Sequence, residues 1–190
     1  MSSPAAFALF ATAIGTMGIT WGEHGITGVF LPEASNAATR RRIARRFPGA
    51  REAAAPADVQ RAIDAIAALL RGEEQDLRGI SLDMREVPAL HRRVYEVART
   101  IPPGRTLSYG EIAERLGDKQ LARDVGQALA KNPFSIVVPC HRVLAADGKL
   151  GGFSARGGIG TKLRLLSIEG VQMPGTLPLF AAAGDEEETA

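Results

Sequence analysis

Cysteine is nearly absent from this chain: Cys140 is the only one in 190 residues. An internal disulfide is therefore excluded, any thiol chemistry must happen at one position, and the usage fits a reducing compartment. Histidine is almost as scarce, with His24, His91 and His141 far apart along the chain. One thiol and three scattered imidazoles give no ligand set at zinc spacing, so no metal site is expected. No apolar run reaches the roughly 18 residues of a membrane span. The first ten residues also lack the basic start of a secretory signal. The expectation is a protein without membrane contact, in the cytoplasm or in the nucleus of a eukaryote.

The formal net charge is only +2, but the charge is unevenly spread. Basic and acidic residues number 9 and 8 up to residue 80, 14 and 9 over 81–170, and 0 and 4 beyond. The middle is therefore positive, which suits a phosphate backbone as partner and equally suits an ordinary solvated surface. Length and apolar content allow one domain or two small ones with a real core.

In the first part, β-forming residues and glycines over 7–30 predict a small sheet, with Ile19-Thr20-Trp21 and residues 26–31 flanking the turn Gly22-Glu23-His24-Gly25. A helix is predicted over 36–46, capped by Ser35 or Asn36 and stopped by Pro48-Gly49. Its arginines (Arg40, Arg41, Arg42, Arg45, Arg46) suit phosphate, though most such runs are solvated helix faces. Residues 56–70 form a stronger helix, with Val59, Ile63, Ile66, Ala67 and Leu70 on one face. Residues 81–84 read as a strand closing the sheet.

From residue 88 the pattern changes to short helices and tight turns. Residues 88–99 form the first, facing inward with Leu90, Val94, Val97 and Ala98. Ser108 with Glu111 reads as a capping box opening a helix that ends at Gly117. A second helix over 120–131 faces inward with Leu121, Val125, Ala128 and Leu129, and the two make a helix-turn-helix. Arg123 lies about 200° around that helix from Leu121 and points outward. Gln127 and Lys131 share its side, bordered by Gly126 and Ala130. Small residues beside a projecting arginine let a backbone surface approach; an incidental solvated face has the same pattern. A last helix is predicted over 161–168, with Leu163 and Leu166 apolar.

Between these helices, the apolar run 136–138 is read as extended and leads through Pro139 into Cys140-His141. A nearby imidazole can take a thiol proton and hold the thiolate as an ion pair, although a bare Cys-His pair is more often structural. In a regular strand the two would point to opposite faces, so the proline must break that regularity or a water must bridge them.

Asn132-Pro133, followed after five residues by Pro139-Cys140-His141-Arg142-Val143, resembles the active-site signature of the O6-alkylguanine-DNA alkyltransferases, the methylated-DNA–protein-cysteine methyltransferases. The resemblance covers residues 87–170 and extends weakly to the N-terminus. It implies an α+β fold, with a supporting β-sheet and helix domain over 1–84. A helical, winged-helix-like domain with the helix-turn-helix would cover 85–172, and 173–190 would be a flexible acidic tail. It also implies double-stranded DNA carrying O6-alkylguanine, possibly O4-alkylthymine, as partner, a monomeric state, and one irreversible transfer to Cys140. By the same resemblance Glu169 holds the His141 ring so that Glu169, His141, water and Cys140 form a relay, and Asn132 is the hinge behind the second helix. Arg123 replaces the flipped guanine in the stack, and Tyr109 crowds the phosphate and contacts the lesion oxygen. Gly126, Gln127, Ala130 and Lys131 face the DNA, while Val143, Phe153 and Ser154 surround the base.

Two departures stand out. His91 and Tyr95 occupy helix positions where the family often carries Trp and Phe, and Asp124 puts a carboxylate directly after Arg123. Arg156 in the glycine loop offsets part of that charge or is simply solvated. Rival functions are a lesion-binding protein that recruits excision repair without chemistry, for which Cys140 is superfluous, and a Cys-His hydrolase, for which Arg123 has no task.

Overall fold

The computed structural model describes residues 6–171. β1 (Ala6–Thr12) and β2 (Gly15–Gly22) form a hairpin, and β2 continues into β3 (Gly25–Phe30) through the expected four-residue turn. α1 (Asn36–Arg46) follows, its first turn capped by the Ser35 hydroxyl, which accepts from Ala38 N at 3.2 Å. It lies on the sheet through Ile43, and a Cβ at Gly18 would stand 2.7 Å from Ile43 Cδ1. Glycine is therefore what lets the helix seat this closely. β4 (Arg51–Glu52) adds a parallel edge, giving the order β3-β2-β1-β4. α2 (Ala57–Leu70) buries Val59, Ile63, Ile66 and Leu70 as its periodicity predicts.

The expected strand over 81–84 is reduced to a one-residue bridge, Leu82 beside Ile26. Two backbone bonds tie it to β3, Ile26 N to the Ser81 carbonyl at 3.0 Å and Asp83 N to the Ile26 carbonyl at 2.8 Å, and side chains hold the residues at its two ends. Arg99 Nη2 donates to the carbonyls of Leu77, Arg78 and Ile80, and Arg92 Nη2 donates to that of Met84 at 3.0 Å. Both arginines belong to α3 (Ala89–Arg99), whose inward face is Val94, Tyr95 and Ala98, with Leu90 and Val97 half-buried. Tyr95 enters the core because its hydroxyl donates to the Ala128 carbonyl at 2.9 Å.

β5 (Leu107–Ser108) leads directly into α4 (Tyr109–Arg115), where the capping box forms in both directions. A 3-10 turn over Lys119–Leu121 precedes α5 (Ala122–Ala130), so the second helix starts two residues later than its pattern suggests and ends one earlier. β6 (Val143–Leu144) pairs in parallel with β5, and α6 (Gly158–Ile168) closes the described chain. One apolar core runs from Phe10 through Met17, Ile66, Val94, Ile112 and Val125 to Leu165, so the sheet half and the helical half share it. The mixed α and β architecture agrees with the expected class. The stretch expected to be a tail lies outside the described residues.

Candidate active site

The path into Cys140 is not the extended run expected from its apolar residues. Ile136 and Val137 form a tight turn, with Ile136 at φ 73°, a region that β-branched residues rarely adopt. Asn132 imposes the turn from inside: its Nδ2 donates to the Val138 carbonyl at 2.9 Å, and its Oδ1 accepts from Phe134 N at 2.9 Å. β3 grips the same segment from outside, through Val29 N to the Pro133 carbonyl at 2.8 Å and Ser135 N to the Val29 carbonyl. Such strain of about 1–3 kcal/mol persists only where the surroundings over-determine it. Here it turns Pro139 into the cap of a 3-10 turn over Cys140–Arg142. Cys140 and His141 thus sit on a turn rather than on opposite faces of a strand.

Cys140 is half-buried, whereas the side chains of His141, Arg142 and Glu169 are 1%, 6% and 3% exposed. Glu169 Oε1 meets His141 Nε2 at 2.8 Å. Arg142 donates to both carboxylate oxygens, Nε to Oε2 and Nη2 to Oε1, each at 2.8 Å, and its Nη1 donates to the Ile101 carbonyl. Burial would raise the Glu169 carboxyl, but the hydrogen bonds from His141 and Arg142 outweigh it and hold it at about 2. The carboxylate ends α6, an unfavourable place for a negative charge. These two partners are why it stays ionised there.

Burial pushes the His141 imidazole down, partly opposed by Glu169, so the ring rests neutral. With Nε2–H given to the carboxylate, Nδ1 carries the lone pair. Nδ1 is buried without a hydrogen-bond partner among the described residues, and His141 makes no direct side-chain bond to Cys140. Burial also pushes the Cys140 thiol up, against the pull of Asn132, of Lys162 and of the Cys140 and His141 amides. The standing thiolate–imidazolium pair expected from sequence is therefore replaced by an uncharged resting pair. A basic nitrogen beside a thiol can still generate the thiolate as an electrophile arrives.

Lys162 is fully buried, with Nζ donating to the carbonyls of Val143 and Leu150, both at 2.5 Å. It ties β6 to the start of the glycine loop. Burial pulls its ammonium down to about 8, and a thiolate at Cys140 acts in the opposite direction once it forms. This lysine went unnoticed in the sequence, as did the clamp made by Arg142. The spacing Lys162, Leu165, Leu166 is the available signal, since i, i+3 and i+4 share a helix face. α6 in fact starts at Gly158 and buries that face, with Leu163 only half-buried.

The β5–β6 pair sets Leu107 beside Val143, which brings Tyr109, the next residue but one, to the Cys140 turn. Tyr109 is half-buried, and burial raises its phenol, to which a thiolate at Cys140 adds once it forms. Its ring lies between α5 and the glycine loop: a Cβ at Gly126 would be 3.9 Å from Cε1, and one at Gly151 would be 3.3 Å from the hydroxyl. Gly151 also has φ 64°, so both space and backbone require glycine there. Phe153 is half-buried against the core, and the Ser154 hydroxyl is exposed, 3.4 Å from the Ala130 carbonyl. Val143 is fully buried.

Arg123, Gln127, Ala130 and Lys131 are exposed on α5, with Gly126 between them, as the helical periodicity predicts. Arg123 and Asp124 do not pair with each other or with any other charged group among the described residues. Asp124 occupies the first turn of α5, where the helix dipole favours a carboxylate. The site residues thus form two joined parts, a buried charge cluster behind Cys140 and an open basic helix face beside Tyr109.

A family model described as the DNA-binding domain of 6-O-methylguanine DNA methyltransferase matches residues 89–171. The methylated-DNA–protein-cysteine methyltransferase of Methanothermobacter thermautotrophicus is 35% identical over 159 residues, which cover 84% of this chain and 82% of that protein. The protein of the same name from Mycolicibacterium paratuberculosis is 45% identical over 119 residues, 63% of this chain and 70% of its own. The crystal structure of a Mycobacterium tuberculosis homologue in complex with DNA superposes with a TM-score of 0.67 at 33% identity, covering 86% of this chain and 92% of that one.

Proposed function

The chain belongs to the methylated-DNA–protein-cysteine methyltransferase family, and we propose on that premise that it repairs O6-alkylguanine in double-stranded DNA by moving the alkyl group onto Cys140. The reaction occurs once per molecule, because no side chain or water readily cleaves the thioether that forms. It requires no cofactor, and one chain supplies every group, so the protein works as a monomer in whichever compartment holds the DNA. Residues 85–172 carry the chemistry and the DNA contacts, and residues 1–84 support them.

The observation that carries the reading is the buried pair Glu169–His141, whose Nδ1 has no hydrogen-bond partner among the described residues, on the same turn as the half-buried Cys140. The alkyl carbon lies inside the stacked duplex, so the nucleotide must rotate out into a pocket, at a cost of about a few kcal/mol. Arg123 fills the gap it leaves, and Tyr109 presses on the phosphate. Gln127, Lys131, Gly126 and Ala130 take up the backbone. In the pocket, Phe153 stacks on the base, Ser154 meets the lesion oxygen, and backbone groups near Val143 read the base edge. His141 Nδ1 takes the thiol proton through a bridging water, and sulfur attacks the alkyl carbon in line. The C–O bond breaks toward oxygen, and the guanine takes up a proton with help from Tyr109. The proton gained by His141 balances the reaction when it passes to the departing base.

Incubation with duplex DNA carrying O6-methylguanine, followed by mass measurement of both partners, tests this. One added methyl on Cys140 with restored guanine is the expected result, lost in Cys140→Ala. Tight binding without methyl transfer identifies a lesion-binding protein instead, and turnover of an acyl substrate identifies a hydrolase.

A further inference from the structure

α1 carries five arginines and no acid, which is most of the positive charge in the first 80 residues, and the site described above gives it no task. Two of the five are neutralised: Arg40 pairs with Glu52 at 2.8 Å, and Arg42 with Glu33. Arg41, Arg45 and Arg46 remain exposed, and none forms an ion pair among the described residues. Arg41 and Arg45 are four apart on one face, where like charges destabilise a helix by about 0.2–0.5 kcal/mol. The last-turn position of Arg45 and Arg46 offsets some of this through the helix dipole.

The placement of this face matters more than its charge. The Arg46 guanidinium lies over the Phe47 ring, 5.7 Å from its centroid, and Phe47 meets Phe30 edge-on at 6.2 Å. Val29, the neighbour of Phe30, exchanges backbone hydrogen bonds with Pro133 and Ser135. Those residues come two and four positions after Lys131, which caps the end of α5. Arg46 is also near enough to Tyr95, which anchors α5 through Ala128, for its charge to act on that phenol. A short chain of contacts therefore connects Arg46, in the last turn of α1, to the segment that follows the helix bearing Arg123.

We infer that Arg41, Arg45 and Arg46 form a second DNA contact, holding backbone phosphates that flank the lesion without reading bases. The inference rests on duplex DNA being the substrate. It gives the sheet half of the molecule a share in affinity, and it adds charge contacts that position the duplex before any base is flipped.

The test compares the full chain with its Arg41→Gln, Arg45→Gln, Arg46→Gln triple variant. Glutamine removes the charge while keeping nearly the helix propensity of the replaced side chains. Binding to a short lesion-free duplex is titrated between about 50 and 200 mM salt, where each phosphate contact contributes a slope of about 0.9 in log K against log salt. The expected result is a slope shallower by about 2, so that the variant's loss of affinity is about 16-fold larger at about 50 mM than at about 200 mM salt. Iodoacetamide labelling of Cys140 and the melting temperature serve as controls and stay unchanged. An unaltered slope overturns the inference, because the arginines are then merely solvated or engaged by another part of the chain. If the unsubstituted protein neither binds duplex nor clears O6-methylguanine from it, the reading of the function fails first. Arg123→Ala in the same titration marks that difference, since it lowers transfer from duplex whether or not α1 touches DNA.

Discussion

The two halves of the site handle charge in opposite ways. Behind Cys140, Glu169, Arg142 and His141 are almost wholly buried and share four hydrogen bonds at 2.5–2.8 Å, counting the one to Ile101. On α5, Arg123, Gln127 and Lys131 are exposed and project from a helix anchored only by its opposite face. A buried charge must be paired at home, because desolvation otherwise drives it neutral. An exposed cation loses little by waiting for a phosphate. The first arrangement fixes one imidazole orientation for chemistry, and the second leaves a surface free for a partner.

Breaking the buried half has the largest expected effect. Glu169→Gln leaves Arg142 charged without a counter-ion, and removing one partner of a buried pair costs about 3–5 kcal/mol. Urea unfolding measures it, and a loss as small as that of a surface ion pair would show that the cluster is solvated. Methyl transfer should fall in parallel, since the His141 ring keeps at most a neutral amide acceptor and loses the negative charge that supports its protonation.

Arg123→Ala should leave the melting temperature unchanged and slow transfer from duplex DNA. If it withdraws about 2 kcal/mol of support for the flipped state, the rate falls roughly 30-fold. The loss should shrink when the modified guanine is placed in a mismatch, where flipping is easier. An equal loss in paired and mispaired contexts would remove Arg123 from the flipping step.

Acidification sharpens the same contrast. The folded-state value of Glu169 is about 2, below its ordinary 4.5, so its stabilisation is complete above 4.5 and disappears as pH falls toward 2. His141 is also lowered, from 6.5, so the unfolded chain takes up that proton first and stability begins to decline below about 6.5. Both signs agree: the protein weakens on the acid side, in two stages, as followed by denaturant titrations across that range. Exchanging Arg123 should not alter the profile.

The smallest effect belongs to Asp124. Its exposed carboxylate stands beside Arg123 without pairing to it. Asp124→Ala should therefore tighten duplex binding about twofold at low salt, an exposed charge being worth under about 1 kcal/mol. The gain should vanish as salt rises. Equal affinities at low salt would place Asp124 away from the phosphates.

Much of this was legible from residues alone. The hairpin turn at Gly22-Glu23-His24-Gly25, the Ser35 cap, the Ser108–Glu111 box and the outward face of α5 all follow from local chemistry acting over a few residues. The motif around Cys140 named the family, and with it the residues to look for. The apolar run 136–138 misled, because hydrophobicity signals burial without specifying whether the buried backbone is extended or turned. Asn132 and β3 decided that, by holding Ile136 in a conformation its own side chain disfavours.

The sequence by itself determined the reactive groups, the helices and their exposed faces, since each depends on residue identity and a period of a few positions. Only the tertiary structure decided that Arg142 would clamp Glu169, that Lys162 would cross to Val143 and Leu150, and that Phe47, just after α1, would meet Phe30 of β3. Each of those facts joins residues distant in the chain. Their charge states follow from burial and partners, which exist only once the chain has folded.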